Sequence, residues 1–127
     1  MNSFDLNKKL KQLNIEDFIW IIYIGIIFFS WYSNSLERKY YINNDINSKK
    51  KYQKINDLIF SILLIIYLYF LKGAYDDYKN LKPSDSSKRK RLVTLAFYAS
   101  LLIAISGAIF LYIALTDDNL DVELAFN

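Results

Sequence analysis

The chain has 127 residues, of which 54% are hydrophobic and 23% charged, with 16 Lys and Arg against 13 Asp and Glu. It contains no Cys and no His, which excludes disulfides, thiolate nucleophiles, iron–sulfur and zinc–thiolate sites, His-based triads and bis-imidazole haem ligation. The net charge of +3 suits a surface that meets anionic lipid, and no nucleic-acid partner is expected.

The apolar residues are concentrated in three runs. Phe18 to Leu36 is 19 residues without a charge, Leu58 to Leu71 is 14, and Leu92 to Thr116 is 25. An uncharged apolar run of about 18 or more residues reads as a membrane span. The expected fold class is therefore all-α: an integral membrane protein, a three-span transmembrane helix bundle with a short N-terminal amphipathic helix. The expected divisions are an interfacial helix over 1–17, the transmembrane part over 18–116 and an acidic tail over 117–127.

At the N-terminus, Leu6, Leu10 and Leu13 recur at helical spacing, while Lys8, Lys9 and Lys11 spread over other faces. This pattern predicts a basic amphipathic helix lying on the membrane surface. Asn14 offers a cap, and Glu16 and Asp17 suit a first turn, so the first long helix is expected to begin near Ile15.

The first span, 18–36, is about 28 Å long as a helix at 1.5 Å per residue, close to a hydrocarbon core of about 30 Å. Trp20 and Tyr23 lie near one end and Trp31 and Tyr32 near the other, as interfacial aromatics do. Ser33-x-Ser35 resembles a signal-peptide cleavage site. The apolar run is long for a signal peptide, however, and Arg38 and Lys39 follow it, so retention is expected.

The second run is short. Lys72 can snorkel, which extends the span to 56–75. No Gly or Pro interrupts the run before Gly73, so a true span is favoured over a re-entrant loop. In the third span, 92–116, Ala96, Ser100, Ala104 and Ala108 recur every four residues, and Gly107 widens the small face. Such a ridge lets another helix approach closely, whether from the same chain, from a second copy or from another membrane protein.

Between the second and third spans, Tyr75 to Tyr78 are expected to continue the helix and Pro83 to stop it. Ser84 to Ser87 form a turn that caps the next helix. Lys88, Arg89, Lys90 and Arg91 then abut the third span as an anionic-lipid and topology anchor. The N-terminal arm and this second connection carry 10 Lys and Arg, against six in the first connection and tail. The positive-inside rule therefore predicts a cytoplasmic N-terminus and an outside C-terminus, in a cell or inner membrane.

No catalytic, cofactor-binding or metal site is expected. The runs carry no ionisable residue of the kind that pumps and transporters place inside the membrane. The doublets Glu16/Asp17, Asp76/Asp77 and Asp117/Asp118 are sequence neighbours, which point apart on a helix. Asp76 and Asp77 are the best candidates for contact with a hard cation or a headgroup. Phosphate-binding and nucleophile-elbow motifs are absent. The reading favoured is a non-catalytic accessory, structural or interaction subunit of a membrane complex. The alternatives are a holin-like permeabiliser, similar only in size and span number, and an immunity-type membrane protein.

Overall fold

The computed structural model describes residues 2–116, and these are all-helical, with 91% in helix and no strand. The elements are α1 (Ser3–Asn43), α2 (Ile46–Lys79) and α3 (Ser87–Thr116). All three helices are long and apolar enough to cross a membrane. The expected acidic tail, 117–127, lies outside the described residues.

Each helix outruns the apolar segment that predicts it. At 1.5 Å per residue, α1 is about 62 Å long, α2 about 51 Å and α3 about 45 Å. α1 starts at Ser3, not near Ile15. Its cap is Asn2, whose Oδ1 accepts the Asp5 N–H at 2.9 Å. Asn14 sits mid-helix and caps nothing, so the amphipathic segment is the first part of α1 and not a separate helix. Neither Gly nor Pro interrupts Ser3 to Phe18, and one Asn costs under about 1 kcal/mol relative to Ala inside a helix. Gln12 and Glu16 bond across that turn at 3.2 Å.

The first connection differs from expectation as well. Most of the charged stretch after Leu36 is helical, and the true connection is only Asn44 and Asp45. α2 then runs without a break past Gly73 to Lys79, so the second segment carries no interruption of the kind a re-entrant loop needs.

The chain divides into two compact units, Met1–Ile55 and Asn56–Asn127. In the first, Ile19, Ile26, Ser33 and Leu36 form the buried stripe of α1. Their spacing of seven, seven and three keeps them on one side of the helix. Ser48 and Tyr52 are buried at the start of α2. In the second unit, Ile59, Phe60, Leu63 and Ile66 of α2 and Ala104 and Gly107 of α3 are buried.

Three of the hydroxyls inside the helices bond to the carbonyl one turn back, whereas Ser30 Oγ is buried without a partner among the described residues. Ser35 Oγ reaches Trp31 O at 3.2 Å, Ser61 Oγ reaches Asp57 O at 2.7 Å and Thr94 Oγ1 reaches Lys90 O at 2.7 Å. This satisfies polar groups without leaving the helix, the arrangement required where water is scarce.

Candidate interaction surfaces

α2 and α3 pair antiparallel within the second unit. Phe60 stacks on Phe110 with ring centroids 5.9 Å apart. Midway, Tyr67 and Leu64 lie against Gly107, where a Cβ would stand 2.7 Å from Tyr67 Cδ2. Near the loop, Phe97 meets Tyr78 at 5.2 Å and Tyr75 at 5.8 Å. The uncharged run of α2 therefore lies beside the later turns of α3. The first turns of α3 lie beside the charged end of α2, with aromatic rings between them.

This pairing divides the ridge read from sequence. Ala104 and Gly107 are buried and Ser100 is half-buried, while Ala96 and Ala108 are exposed. The geometric reason is that four residues turn an α-helix by about 400°, so a strict four-residue line drifts about 40° per step. The covered line instead follows Phe97, Ser100, Ala104, Gly107 and Leu111. Its alternating steps of three and four average 3.5 residues, the period of a packed seam. The close approach centres on Gly107, the smallest residue of that line.

The loop between these helices is closed by its own polar groups. Asp85 Oδ2 accepts the Lys82 N–H at 2.7 Å, and the Asp85 N–H donates to Lys82 O at 3.0 Å. Ser86 is the cap of α3, its Oγ accepting the Arg89 N–H at 3.1 Å. Two of the four clustered basic residues turn toward this loop: Arg89 Nε lies 3.8 Å from Asp85 Oδ1, and Lys90 Nζ donates to Pro83 O at 3.0 Å. Lys88 and Arg91, like Arg89, are exposed, and neither Lys88 nor Arg91 forms an ion pair among the described residues.

Asp76 pairs with Lys72 one turn earlier, at 3.2 Å. Lys72 thus extends its ammonium toward the loop end of α2, the direction that snorkelling requires. Among the described residues, no three potential ligands of the His, Cys, Asp and Glu types gather around a common point.

The α1–α2 corner was not identified from sequence. Asn44 adopts a left-handed conformation (φ 52°, ψ 36°) and ends α1, a role for which Asn is second only to Gly. Asp45 then caps α2. Its Oδ1 accepts the N–H groups of Asn47 and Ser48 at 3.1 and 3.4 Å, and its Oδ2 accepts Ser48 Oγ–H at 3.0 Å. Lys39 Nζ stands 3.6 Å from the same carboxylate. The Ser48 hydroxyl holds the Asp45 carboxyl below its ordinary 3.8; desolvation opposes that effect, while the backbone bonds and Lys39 add to it. Beside it, Lys49 lies over the Tyr40 ring at 5.3 Å, and Tyr40 meets Tyr52 at 6.3 Å. The adjacent Asn-Asp pair carried the available signal, an Asn stop followed by an Asp start.

No family model, curated protein or solved structure matches the chain.

Proposed function

We propose that the chain is a three-span integral membrane protein that acts as a non-catalytic accessory or structural subunit of a membrane complex. The observation that carries this reading is the outward direction of its apolar side chains. Ile24, Phe28 and Trp31 of α1, Ile65 of α2, and Leu102 and Ile109 of α3 are all exposed. Only 11% of the most apolar stretch of α1 and of α3, and 22% of that of α2, is buried. Soluble monomers rarely expose contiguous apolar surface on this scale. Lipid tails or neighbouring transmembrane helices are the covering that fits.

The aromatic group formed by Tyr75, Tyr78, Phe97 and Tyr98 supports an interface at that level, where amphipathic rings favour the headgroup boundary. On this reading the hydrocarbon layer covers the uncharged run of α2 and the later part of α3. The first turns of α3 pass through the aromatic belt. The N-terminus and the α2–α3 loop lie in the cytoplasm, in keeping with the greater number of basic residues there.

Two measurements test the proposal. Resistance of the membrane-bound chain to alkaline extraction supports insertion, and full release overturns it. Mild-detergent purification, followed by native electrophoresis, should show the chain in a larger assembly of fixed stoichiometry. Migration as the free chain, or collapse of the membrane potential on overexpression, overturns the accessory role; the second result would assign it to permeabilisation.

A further inference from the structure

The α1–α2 corner carries its own cluster of charge. From Glu37 to Lys54 there are six Lys and Arg against two carboxylates. Two of the six bases are engaged within the corner: Lys39 faces Asp45, and Lys49 covers the Tyr40 ring. Lys50, Lys51 and Lys54 are exposed, and none of them takes part in an ion pair among the described residues.

These three lysines share one face of α2. At about 100° per residue they fall within an arc of about 100°. Leu58 lies four residues beyond Lys54 and seven beyond Lys51, and Ile65 lies eleven beyond Lys54, so both fall in the same arc. Leu58 and Ile65 are 57% and 67% exposed. The lysines therefore stand directly above an open apolar column on one continuous helix. At 1.5 Å per residue, Lys54 is about 6 Å past Leu58 and Lys50 about 12 Å past it. The headgroup layer outside each face of the hydrocarbon is about 5–8 Å thick. A lysine stem spans the remaining distance while its ammonium stays in water.

We propose that Lys50, Lys51 and Lys54 bind the phosphate of an anionic phospholipid whose acyl chain lies along Leu58 and Ile65. This contact lies at the opposite end of α2 from the Lys88–Arg91 cluster, so the chain engages anionic lipid at both ends of its helices. A lipid fits better than an acidic protein because one molecule supplies both chemistries: an anion for the lysines and an apolar chain for the column beneath them. The inference rests on the three-span reading above.

The test uses the full-length chain with Lys88, Arg89, Lys90 and Arg91 replaced by Gln, which lowers the competing basic residues at the other end from ten to six. The protein is reconstituted into vesicles of mixed phosphatidylglycerol and phosphatidylcholine and recovered in mild detergent, and the retained lipid is measured by mass spectrometry. Phosphatidylglycerol should be enriched over its share in the vesicles. Adding K50Q/K51Q/K54Q should lower that enrichment by about tenfold or more, since each basic residue near a surface contributes about a factor of five. K50R/K51R/K54R should retain it, and circular dichroism should show equal helix content in all variants. Equal enrichment with and without the three lysines overturns the proposal. Lysine-dependent binding of polyglutamate that phosphatidylglycerol vesicles fail to displace also overturns it, and assigns the face to an acidic protein. Release of the parent chain by alkaline extraction removes the three-span reading and this proposal together. Retained insertion with unchanged lipid enrichment removes this proposal alone.

Discussion

Tyr67 lies against Gly107, so that a Cβ on the glycine would meet Cδ2 of the ring at 2.7 Å, Cε2 at 3.2 Å and Leu64 Cδ1 at 3.5 Å. The absence of a side chain sets how closely α2 and α3 approach. G107A gains about 1 kcal/mol of helix propensity but forces the ring to move, and overpacking of this kind costs about 1–3 kcal/mol. Ala should therefore be neutral to destabilising by about 2 kcal/mol, and G107L should separate the pair. Thermal unfolding in detergent followed by circular dichroism measures this. The double variant G107A/Y67A should recover part of the loss, because the two residues share one contact. A G107L protein as stable as wild type would show that the approach does not matter to the fold.

The ridge on α3 gives a contrasting pair of substitutions. Ala104 is buried and Ala96 is exposed, although both belong to the same four-residue line. A104L should destabilise by about 1–3 kcal/mol through overpacking. A96L adds apolar surface to an open face and should change stability by no more than about 0.5 kcal/mol. Oligomeric state, measured by light scattering with the detergent contribution subtracted, then separates the two uses of the ridge. If A96L or A108L dissociates an assembly while leaving the melt unchanged, the exposed members contact another molecule. If both variants leave assembly intact, the ridge acts within the chain, through Ser100, Ala104 and Gly107.

The three apolar runs were legible because charge-free length is a coarse signal that local chemistry rarely disguises. All three lie inside observed helices, and the expected Ser-rich cap of the third resolves to Ser86. The ends of the helices were less legible. Residues 37–55 are largely polar and carry no clean apolar period, so they read as a connection. Tertiary contacts such as Tyr40 with Tyr52 nonetheless accompany helix on both sides of a two-residue corner. Asn14 read as a start because it precedes Glu16 and Asp17. Asn2 already supplies a cap, and no breaker separates the two, so the helix passes through. The small residues of α3 are legible in the sequence, but their spacing there shows a period of four. A packed pair follows about 3.5, and only contact with Tyr67 and Leu64 shows which residues are covered.

Asp45 should give the corner a dependence on acid. Its carboxyl is held below the ordinary 3.8, first by the Ser48 hydroxyl. A carboxyl with a lowered folded value contributes its full stabilisation above about 3.8, and that contribution falls away as pH drops through the lower folded value. The start of α2 should therefore be unaffected between neutral pH and about pH 5, and loosen below the ordinary carboxylate range. Hydrogen exchange at the Asn47 and Ser48 amides, corrected for the intrinsic pH dependence of exchange, reports this directly. D45A should leave both amides weakly protected at every pH, and D45N should keep part of the protection because an amide oxygen still caps. If protection in wild type does not fall in acid, the carboxylate is not what holds the corner.

Orientation is the property most exposed to the unexpected length of the helices. With Lys50, Lys51 and Lys54 on α2, about 6–12 Å beyond Leu58 by helix rise, they lie close enough to the span to count fully in charge balance. The basic residues then stand at 10 on the side of the N-terminus and α2–α3 loop, and six on the other. Replacing Lys88, Arg89, Lys90 and Arg91 by Gln equalises the two sides at six. That variant should insert in both orientations, read as signal from both members of a pair of C-terminal reporters, one active in the cytoplasm and one outside. Adding K50Q/K51Q/K54Q lowers the other side to three and should restore a single orientation with the N-terminus in the cytoplasm. This recovery by removing further charge distinguishes charge balance from general damage, because damage would accumulate with seven substitutions and would not reverse. A single unchanged orientation in the first variant would show that loop charge does not orient the chain.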